Sequence, residues 1–339
     1  MSNLAEWNLI ERNLVSTTLA IVLLSACSPY VYNREITSFA NGVDTVVSIH
    51  QTGEQTIATQ IAQQQQAAHV AAKDRLDLLP GCDSVDPSGN PPKLADCAVA
   101  KFGDKQRPRP PPVQAHLVND EPLFAALKAY AAALAAVSNA ADDKTLAQAT
   151  QGLTSAAGGL TGAVAKLVPT APNSTLVTSA GSLLGQGIAL YLDSRRYAVL
   201  RAIVPAVDPS IATLGQTVEA DLRLIRAHQI AQLQKGLHAD VAPLQAETVS
   251  TLDRSDYQTK LAALQTKVAV FNQARAADPR EIANAMVNAH HQLAAALQGD
   301  SGQIVPILTA VSRFSTAADQ MKAAVDAAAG ATGTVAATK

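Results

Sequence analysis

The sequence predicts an all-α protein, an elongated antiparallel bundle of many helices with one irregular excursion. Alanine and leucine dominate the 339 residues, whereas aromatic residues make up only 4% of them. Alanine and leucine favour helices, and the shortage of aromatic residues argues against a β-rich core. Nearly every long segment repeats its apolar residues at a three-four spacing, which is the period of an amphipathic helix. Short turns between these segments favour antiparallel neighbours.

The first helix is expected over residues 34–78, followed by an irregular segment, 79–118. Pro80-Gly81 ends the helical pattern. The run Arg107–Pro112 predicts extended polyproline II, because consecutive prolines disfavour a helix. An irregular segment of about 40 residues is unusual inside a compact domain and is often functional. The apolar stripe of the first helix comprises Ile36, Phe39, Val43, Val46, His50, Ile57 and Ile61.

The middle of the chain has recognisable helix starts and ends. Asn119–Pro122 gives an acidic first turn with a proline, and Asp142 or Asp143 is expected to cap the next helix. A turn at 168–173 leads to a helix over about 174–203, which Pro205 should end. The apolar stripes of the first two of these helices are Phe124, Leu127, Tyr130, Leu134 and Val137, then Leu146, Ala149, Leu153, Leu160, Val164 and Leu167.

Two later helix starts carry clear capping signals. At Asp208-Pro209 and at Asp278-Pro279, a capping carboxylate precedes proline at the first helical position. Glu281 completes a capping box at the second start. Gly299 should close that helix, so that the bundle spans 34–329 and the tail 330–339 is disordered. The stripes here run from Leu214 to Leu244, from Tyr257 to Phe271, from Ile282 to Leu297 and from Leu308 to Val325.

The N-terminal segment carries a targeting pattern. An apolar run, Leu14–Leu24, ends in Leu24-Ser25-Ala26-Cys27. The run fits the ~7–15 residues of a signal-peptide core and falls short of the roughly 20 that a spanning helix needs. This segment resembles a bacterial lipoprotein precursor with its lipobox. The alternative is a plain N-terminal membrane anchor or a cytoplasmic helix.

The resemblance implies how the protein is held. Residues 1–26 would be a signal peptide cut before Cys27, whose thiol would carry a diacylglycerol, and 27–33 would be the lipidated tether. Ser28 after the cysteine favours the outer membrane, with the body facing the periplasm. Each buried CH₂ of the acyl chains contributes ~0.8 kcal/mol to membrane binding, so the anchor is strong.

Cys82 and Cys97 are expected to form a disulfide. They flank a proline-containing stretch, and two such cysteines pair in an oxidising compartment. Closing a loop of about 15 residues in this way contributes ~3 kcal/mol in the chain-entropy model. The rival interpretation is half of a metal site. No histidine or third cysteine lies nearby in the sequence, so no metal is predicted.

Charge and motifs narrow the function classes. The formal charge is −2 and becomes −1 without residues 1–26, which hold two acidic residues and one basic residue. Such a chain has no electrostatic footprint for nucleic acid. It has no Gly-x-Ser-x-Gly elbow, no Ser-x-x-Lys and no glycine-rich phosphate loop. We therefore expect a non-enzyme without a cofactor.

Five charged residues are candidates for binding a partner. Arg107 and Arg109 lie in the proline-rich run, and Asp193, Arg195 and Arg196 follow an apolar helical segment. Arginine there could bind a phosphate or a partner's carboxylate. An internal ion pair of Asp193 with Arg196 is the alternative.

The apolar hairpin 145–192 contains Gly158-x-x-x-Gly162 and Gly181-x-x-x-Gly185. This spacing lets helix backbones approach closely. The hairpin could be the centre of the bundle or could insert into a membrane. Its many polar residues favour the bundle centre.

The histidines are expected to be structural. Glu281, Asn284, Asn288 and His291 share one helix face, but the Glu-x-x-His repeat of bundle metal sites does not occur in the chain. A solvated polar face is the expected explanation. His50, His228 and His238 are expected at the rim of the core or satisfied within it.

These observations favour a membrane-anchored envelope lipoprotein with a non-catalytic binding or structural role. Its partners would be the membrane, through the anchor, and an unknown envelope protein. One alternative is a periplasmic inhibitor or immunity protein against an envelope-acting toxin. Another is an envelope enzyme with a helical active site.

Overall fold

The structure is a computed structural model and describes residues 32–78, 99–103, 111–167, 192–245, 250, 252–299 and 304–333. Within these residues the predicted helical bundle is confirmed. The elements are helices α1 (Asn33–Ala72), α2 (Pro112–Ser138), α3 (Asp143–Leu167), α4 (Leu192–Gln245), α5 (Arg254–Ala276), α6 (Pro279–Gln298) and α7 (Ile304–Gly333), with strands β1 (Leu76–Leu78) and β2 (Val99–Lys101) between α1 and α2.

The chain divides into two compact units, residues 1–50 with 121–339, and residues 51–120. In the larger unit, which we call the bundle unit, α4 packs against α3, α5, α6 and α7, and α7 also packs against α5 and α6. The predicted apolar stripes supply its core. Among the buried side chains are Phe39, Val43, Phe124, Leu134, Leu146, Leu160, Leu214, Ile225, Met286, Leu293, Phe314 and Val325.

Glycine permits close helix contact in this core at a position that the sequence did not single out. A Cβ at Gly42 of α1 would lie 2.6 Å from the ring of Phe314 on α7. No described residue lies within 4 Å of a Cβ added at Gly158 or Gly162, and the predicted close approach of this helix to the second arm of the hairpin stays a prediction. Gly181 and Gly185 lie outside the described residues.

The smaller unit contains a short antiparallel strand pair. Leu76 pairs with Lys101, and Leu78 pairs with Val99. Helix α1 therefore ends at Ala72 and not at residue 78 as predicted, and Lys73 after it has a positive φ of 50°. Three-residue strands carry too little sequence pattern to be recognised, so the expectation of an all-α chain missed them.

Several predicted helix boundaries at prolines are wrong. α2 begins at Pro112, before the expected start at Asn119, and continues through Pro122. α4 runs for 54 residues through Pro205, Pro209 and Pro243. A proline inside a helix costs ~3 kcal/mol or more, whereas each large apolar side chain fully buried contributes about 1.5–3 kcal/mol. The buried residues around the first two prolines of α4, which outweigh that cost, are Val199, Leu200, Ile203, Val204, Val207, Ile211 and Leu214.

Other predicted boundaries are confirmed. The Asp142 carboxylate accepts a hydrogen bond from the Thr145 N–H at 2.7 Å, and the Asp278 carboxylate accepts one from the Arg280 N–H at 3.0 Å. Gly299 closes α6 with a φ of 109°. At the C-terminal end, α7 extends to Gly333, so the first residues of the expected disordered tail are helical.

Two described helices, α2 and α4, are long and apolar enough to cross a membrane by length and composition alone. The protein itself buries 44% of the apolar window in α2 and 50% of the window in α4. Core helices of bundles have the same properties, so this finding is weak evidence for a membrane span.

Candidate functional site

The sequence predicts that Asp208 caps a helix. The structure instead places Asp208 inside α4, where its carboxylate binds two histidines of α6. Its Oδ1 lies 2.7 Å from Nδ1 of His290, and its Oδ2 lies 2.8 Å from Nδ1 of His291. One carboxylate therefore ties two consecutive side chains of a neighbouring helix to α4. We call Asp208, His290, His291 and Tyr130 the histidine cluster.

His290 is fully buried and links Asp208 to the buried phenol of Tyr130 on α2. Its Nε2 lies 2.9 Å from the Tyr130 hydroxyl, and its ring lies 5.7 Å from that of Phe39. A neutral imidazole can donate from Nδ1 to Asp208 and accept at Nε2 from Tyr130. This tautomer gives both of the histidine's ring nitrogens a partner without burying a positive charge.

His291 occupies the exposed side of the same carboxylate. Its side chain is 62% exposed, whereas that of Asp208 is 21% exposed. When Nδ1–H donates to the carboxylate, Nε2 carries the lone pair and can accept a hydrogen bond from a ligand. Asp208 thus fixes both the orientation and the tautomer of an accessible imidazole.

The cluster also sets the ionisation of its acidic groups. Burial raises the pKa of Asp208, but the hydrogen bonds from His290 and His291, together with the charges that these imidazoles carry when protonated, outweigh this and lower it below the usual 3.8. Burial, and then the charge of Asp208, raise the pKa of Tyr130 well above 10.0. At neutral pH Asp208 is therefore an anion and Tyr130 a neutral donor.

A groove of about 360 Å³ lies beside the cluster, between α4 and α6. Gly215 is one of the residues that line the groove. A Cβ at this position would lie 2.5 Å from Val287 Cγ2, so glycine allows α4 and α6 to pack closely here. The groove's polar side chains are Gln216, Glu219, Asn284, Asn288 and His291.

The predicted solvated polar face of α6, formed by Glu281, Asn284, Asn288 and His291, is exposed in the structure. Asn284, Asn288 and His291 line the groove together, whereas the carboxylate of Glu281 binds Arg313 at 3.1 Å. Glu219, on the opposite wall, forms ion pairs with Arg223 and, at 3.4 Å, with Arg280.

A second buried histidine–carboxylate pair lies elsewhere in the bundle unit. His50 Nε2 is 3.0 Å from Asp221 Oδ2, and both side chains are completely buried. The His50 ring stacks on Phe124 with a centroid distance of 3.9 Å. His50 is thus a core histidine, as expected. Burial lowers the pKa of His228, which is half-buried, and His238 is exposed.

The described candidates for partner binding lie at the start of α4. Arg196 forms an ion pair with Asp193 at 2.8 Å and also donates to the Ala140 carbonyl. Arg195 forms an ion pair with Asp143 at 2.8 Å. The internal pair considered as the alternative is therefore present, and partner binding by these residues stays a prediction. Cys27, Cys82, Cys97, Arg107 and Arg109 lie outside the described residues.

Sequence reasoning missed the roles of Asp208 and Tyr130. The capping pattern Asp208-Pro209 concealed the first, and Tyr130 reads as one more apolar residue of a stripe.

Comparison of the chain with protein-family models, with curated proteins and with solved structures gives no match in any of the three.

Proposed function

We propose that this protein is an outer-membrane lipoprotein, held by an acylated Cys27 and facing the periplasm, that binds an envelope protein without catalysing a reaction. The lipobox-like Leu24-Ser25-Ala26-Cys27 supports the anchor. The single structural observation that supports binding is the groove between α4 and α6, in which Asp208 orients His291.

The groove suits an uncharged ligand that forms hydrogen bonds. Three carboxamides, those of Gln216, Asn284 and Asn288, offer both donors and acceptors, and His291 adds an acceptor. The charge of Glu219 is already balanced by two arginines, and that of Asp208 is held by two histidines. A charged ligand would find no free opposite charge among these groups.

A polypeptide backbone fits this chemistry better than a sugar. Each carboxamide matches the paired N–H and C=O of a peptide unit. Among the described residues that line the groove, none is phenylalanine, tyrosine or tryptophan, and sugars commonly stack on such rings. Asn284 and His291 are seven helix positions apart, about 10 Å, which is the length of three residues of an extended strand.

The strand register supports the proposed disulfide in the smaller unit. β1 and β2 pair Leu78 with Val99. Cys82 lies four residues after Leu78, and Cys97 lies two residues before Val99. Paired strands are ~5 Å apart, and a disulfide needs Cα atoms at ~4.4–6.8 Å. The strand ends from which the segments carrying Cys82 and Cys97 extend are therefore separated by a distance that suits a disulfide.

Site-specific photocrosslinking in living cells tests the binding proposal. A photoreactive phenylalanine analogue replaces Asn288 in the groove or, as a control, Asn272, an exposed asparagine of α5 outside it. We expect a discrete protein adduct from position 288 that disappears in the His291→Ala background and is absent from position 272. Equal adducts from both positions, or none that depends on His291, would refute the groove as the binding site.

A further inference from the structure

We infer that the end of the bundle unit that carries Asn33 faces the outer membrane, and that the α4–α5 hairpin points away from it. This inference rests on the proposed anchor at Cys27. It adds an orientation, and with it a membrane-facing surface, to that proposal.

Four helices meet at the end in question. The Ser138 hydroxyl of α2 donates to the Asn33 side chain of α1 at 2.7 Å. The ion pair of Arg195 with Asp143, at 2.8 Å, joins the start of α4 to the start of α3. These contacts place the first residues of α1, α3 and α4 together with the last residues of α2.

The end of α6 belongs to the same surface. The Tyr197 hydroxyl of α4 donates to the Leu297 carbonyl at 3.1 Å. The contacting residues thus come from five helices, and we call this surface the proximal end.

The tether limits how far the proximal end can lie from the bilayer. Asn33 follows Cys27 by six residues. A chain spans at most ~3.3–3.6 Å per residue, so Asn33 lies within about 20 Å of the acylated cysteine in any tether conformation.

The opposite end of α4 is far beyond that limit. From Arg195 to Leu237 the helix rises about 60 Å at ~1.5 Å per residue. There α4 pairs with α5, as the ion pair of Lys267 with Asp240 shows. Arg226 fixes the start of this pairing by donating to the carbonyls of Ala274, at 3.0 Å, and Arg275, at 2.5 Å.

Charge argues against α4 lying flat on the bilayer. A helix that lies along an anionic membrane needs a cationic or strongly apolar face. The chain without its predicted signal peptide has a formal charge of −1, from the −2 of the whole chain less two acids and one base. Cations along the bundle are matched by acids, as in Arg223 with Glu219 and Arg313 with Glu281.

The orientation gives each surface a height above the membrane. The groove, from Ala212 to Glu219 on α4, lies about 25–35 Å from Arg195 along the helix. On the hairpin, two large apolar side chains of α5, those of Tyr257 and Val268, are each 41% exposed. In this orientation the bundle unit therefore presents the groove and these residues of α5 to the periplasm and not to the lipid.

Energy transfer from single tryptophans to the membrane tests this orientation. The only tryptophan, Trp7, lies in the predicted signal peptide, so the mature chain has none. Lys144→Trp, in the first turn of α3, reports on the proximal end, and Lys260→Trp, in α5, reports on the hairpin. Both lysines are exposed and carry the same charge, so the two variants are matched.

The acylated variants are placed in phosphatidylethanolamine–phosphatidylglycerol vesicles that contain a dansyl-headgroup lipid. We expect transfer from the Lys144→Trp variant to be at least threefold more efficient than from the Lys260→Trp variant. Equal efficiencies, or a higher one from α5, in protein whose mass shows the acyl chains would overturn the orientation and leave the anchor standing. Absence of acyl chains on Cys27 would overturn both. Unchanged circular dichroism checks that each variant is folded.

Discussion

Tyr130 and His290 form a buried hydrogen bond of 2.9 Å between hydroxyl and Nε2, and it completes a chain of polar contacts from the core to the groove. Through His290 the phenol is connected to Asp208, and through Asp208 to the exposed His291. The orientation of an accessible imidazole, that of His291, is thus set by contacts among three helices.

Removing the Asp208 carboxylate should destabilise the protein. Asp208→Ala leaves the buried Nδ1–H of His290 without its acceptor, which costs about 1–3 kcal/mol. Asp326→Ala is the control, because it removes an exposed i,i+4 pair with Lys322 that is worth only ~0.3–0.5 kcal/mol. Urea unfolding measures both changes. Equal losses of unfolding free energy in the two variants would mean that the contacts of Asp208 stabilise the protein no more than an exposed ion pair does.

The Asp208 contribution should depend on pH in one direction. Because the folded-state pKa of this carboxyl is lowered from 3.8, its ionised form stabilises the folded protein above that pH. The contribution is lost as the pH falls below 3.8 through the folded-state value. The difference in unfolding free energy between the wild type and Asp208→Asn should therefore be larger at pH 5 than at pH 3, because the carboxylate is protonated below about pH 4. A difference that grows from pH 5 to pH 3 would contradict the assignment.

Gly215 and Gly158 should respond oppositely to alanine. Gly215→Ala places a methyl group against Val287 at the contact between α4 and α6, and overpacking of this kind costs typically 1–3 kcal/mol. Gly158→Ala meets open space among the described residues and should stabilise α3 by roughly 0.5–1 kcal/mol. Adding Val287→Ala to Gly215→Ala should recover part of the loss. Thermal unfolding of the three variants and the wild type decides this.

How far the sequence predicts the structure depends on what each residue contacts. The apolar stripes of α1, α2, α6 and α7 follow from periodicity, and the caps at Asp142 and Asp278 follow from local chemistry. Helix α4 continues through Pro205 and Pro209, because burial of the apolar side chains around them outweighs the tendency of proline to end a helix. The partners of Asp208 lie 82 and 83 residues away, and no local pattern encodes such a contact.

Cys82 and Cys97 should be oxidised in the exported protein. Alkylation of the unfolded, unreduced protein should leave Cys82 and Cys97 unmodified, and peptide mapping should recover them as one linked peptide. Reduction should lower stability by ~3 kcal/mol, the loop-closure value for about 15 residues. A Cys82→Ser/Cys97→Ser variant is the control, since the reductant should not affect it. Two free thiols before reduction would exclude the disulfide.

Intact mass spectrometry of the protein extracted from bacterial membranes tests the central claim most directly. The account predicts a chain that starts at Cys27, carries diacylglycerol and incorporates labelled palmitate, while Cys27→Ser is left unlabelled and released from the membrane fraction. An unprocessed chain that begins at Met1 in the soluble fraction, without acyl chains, would contradict the account.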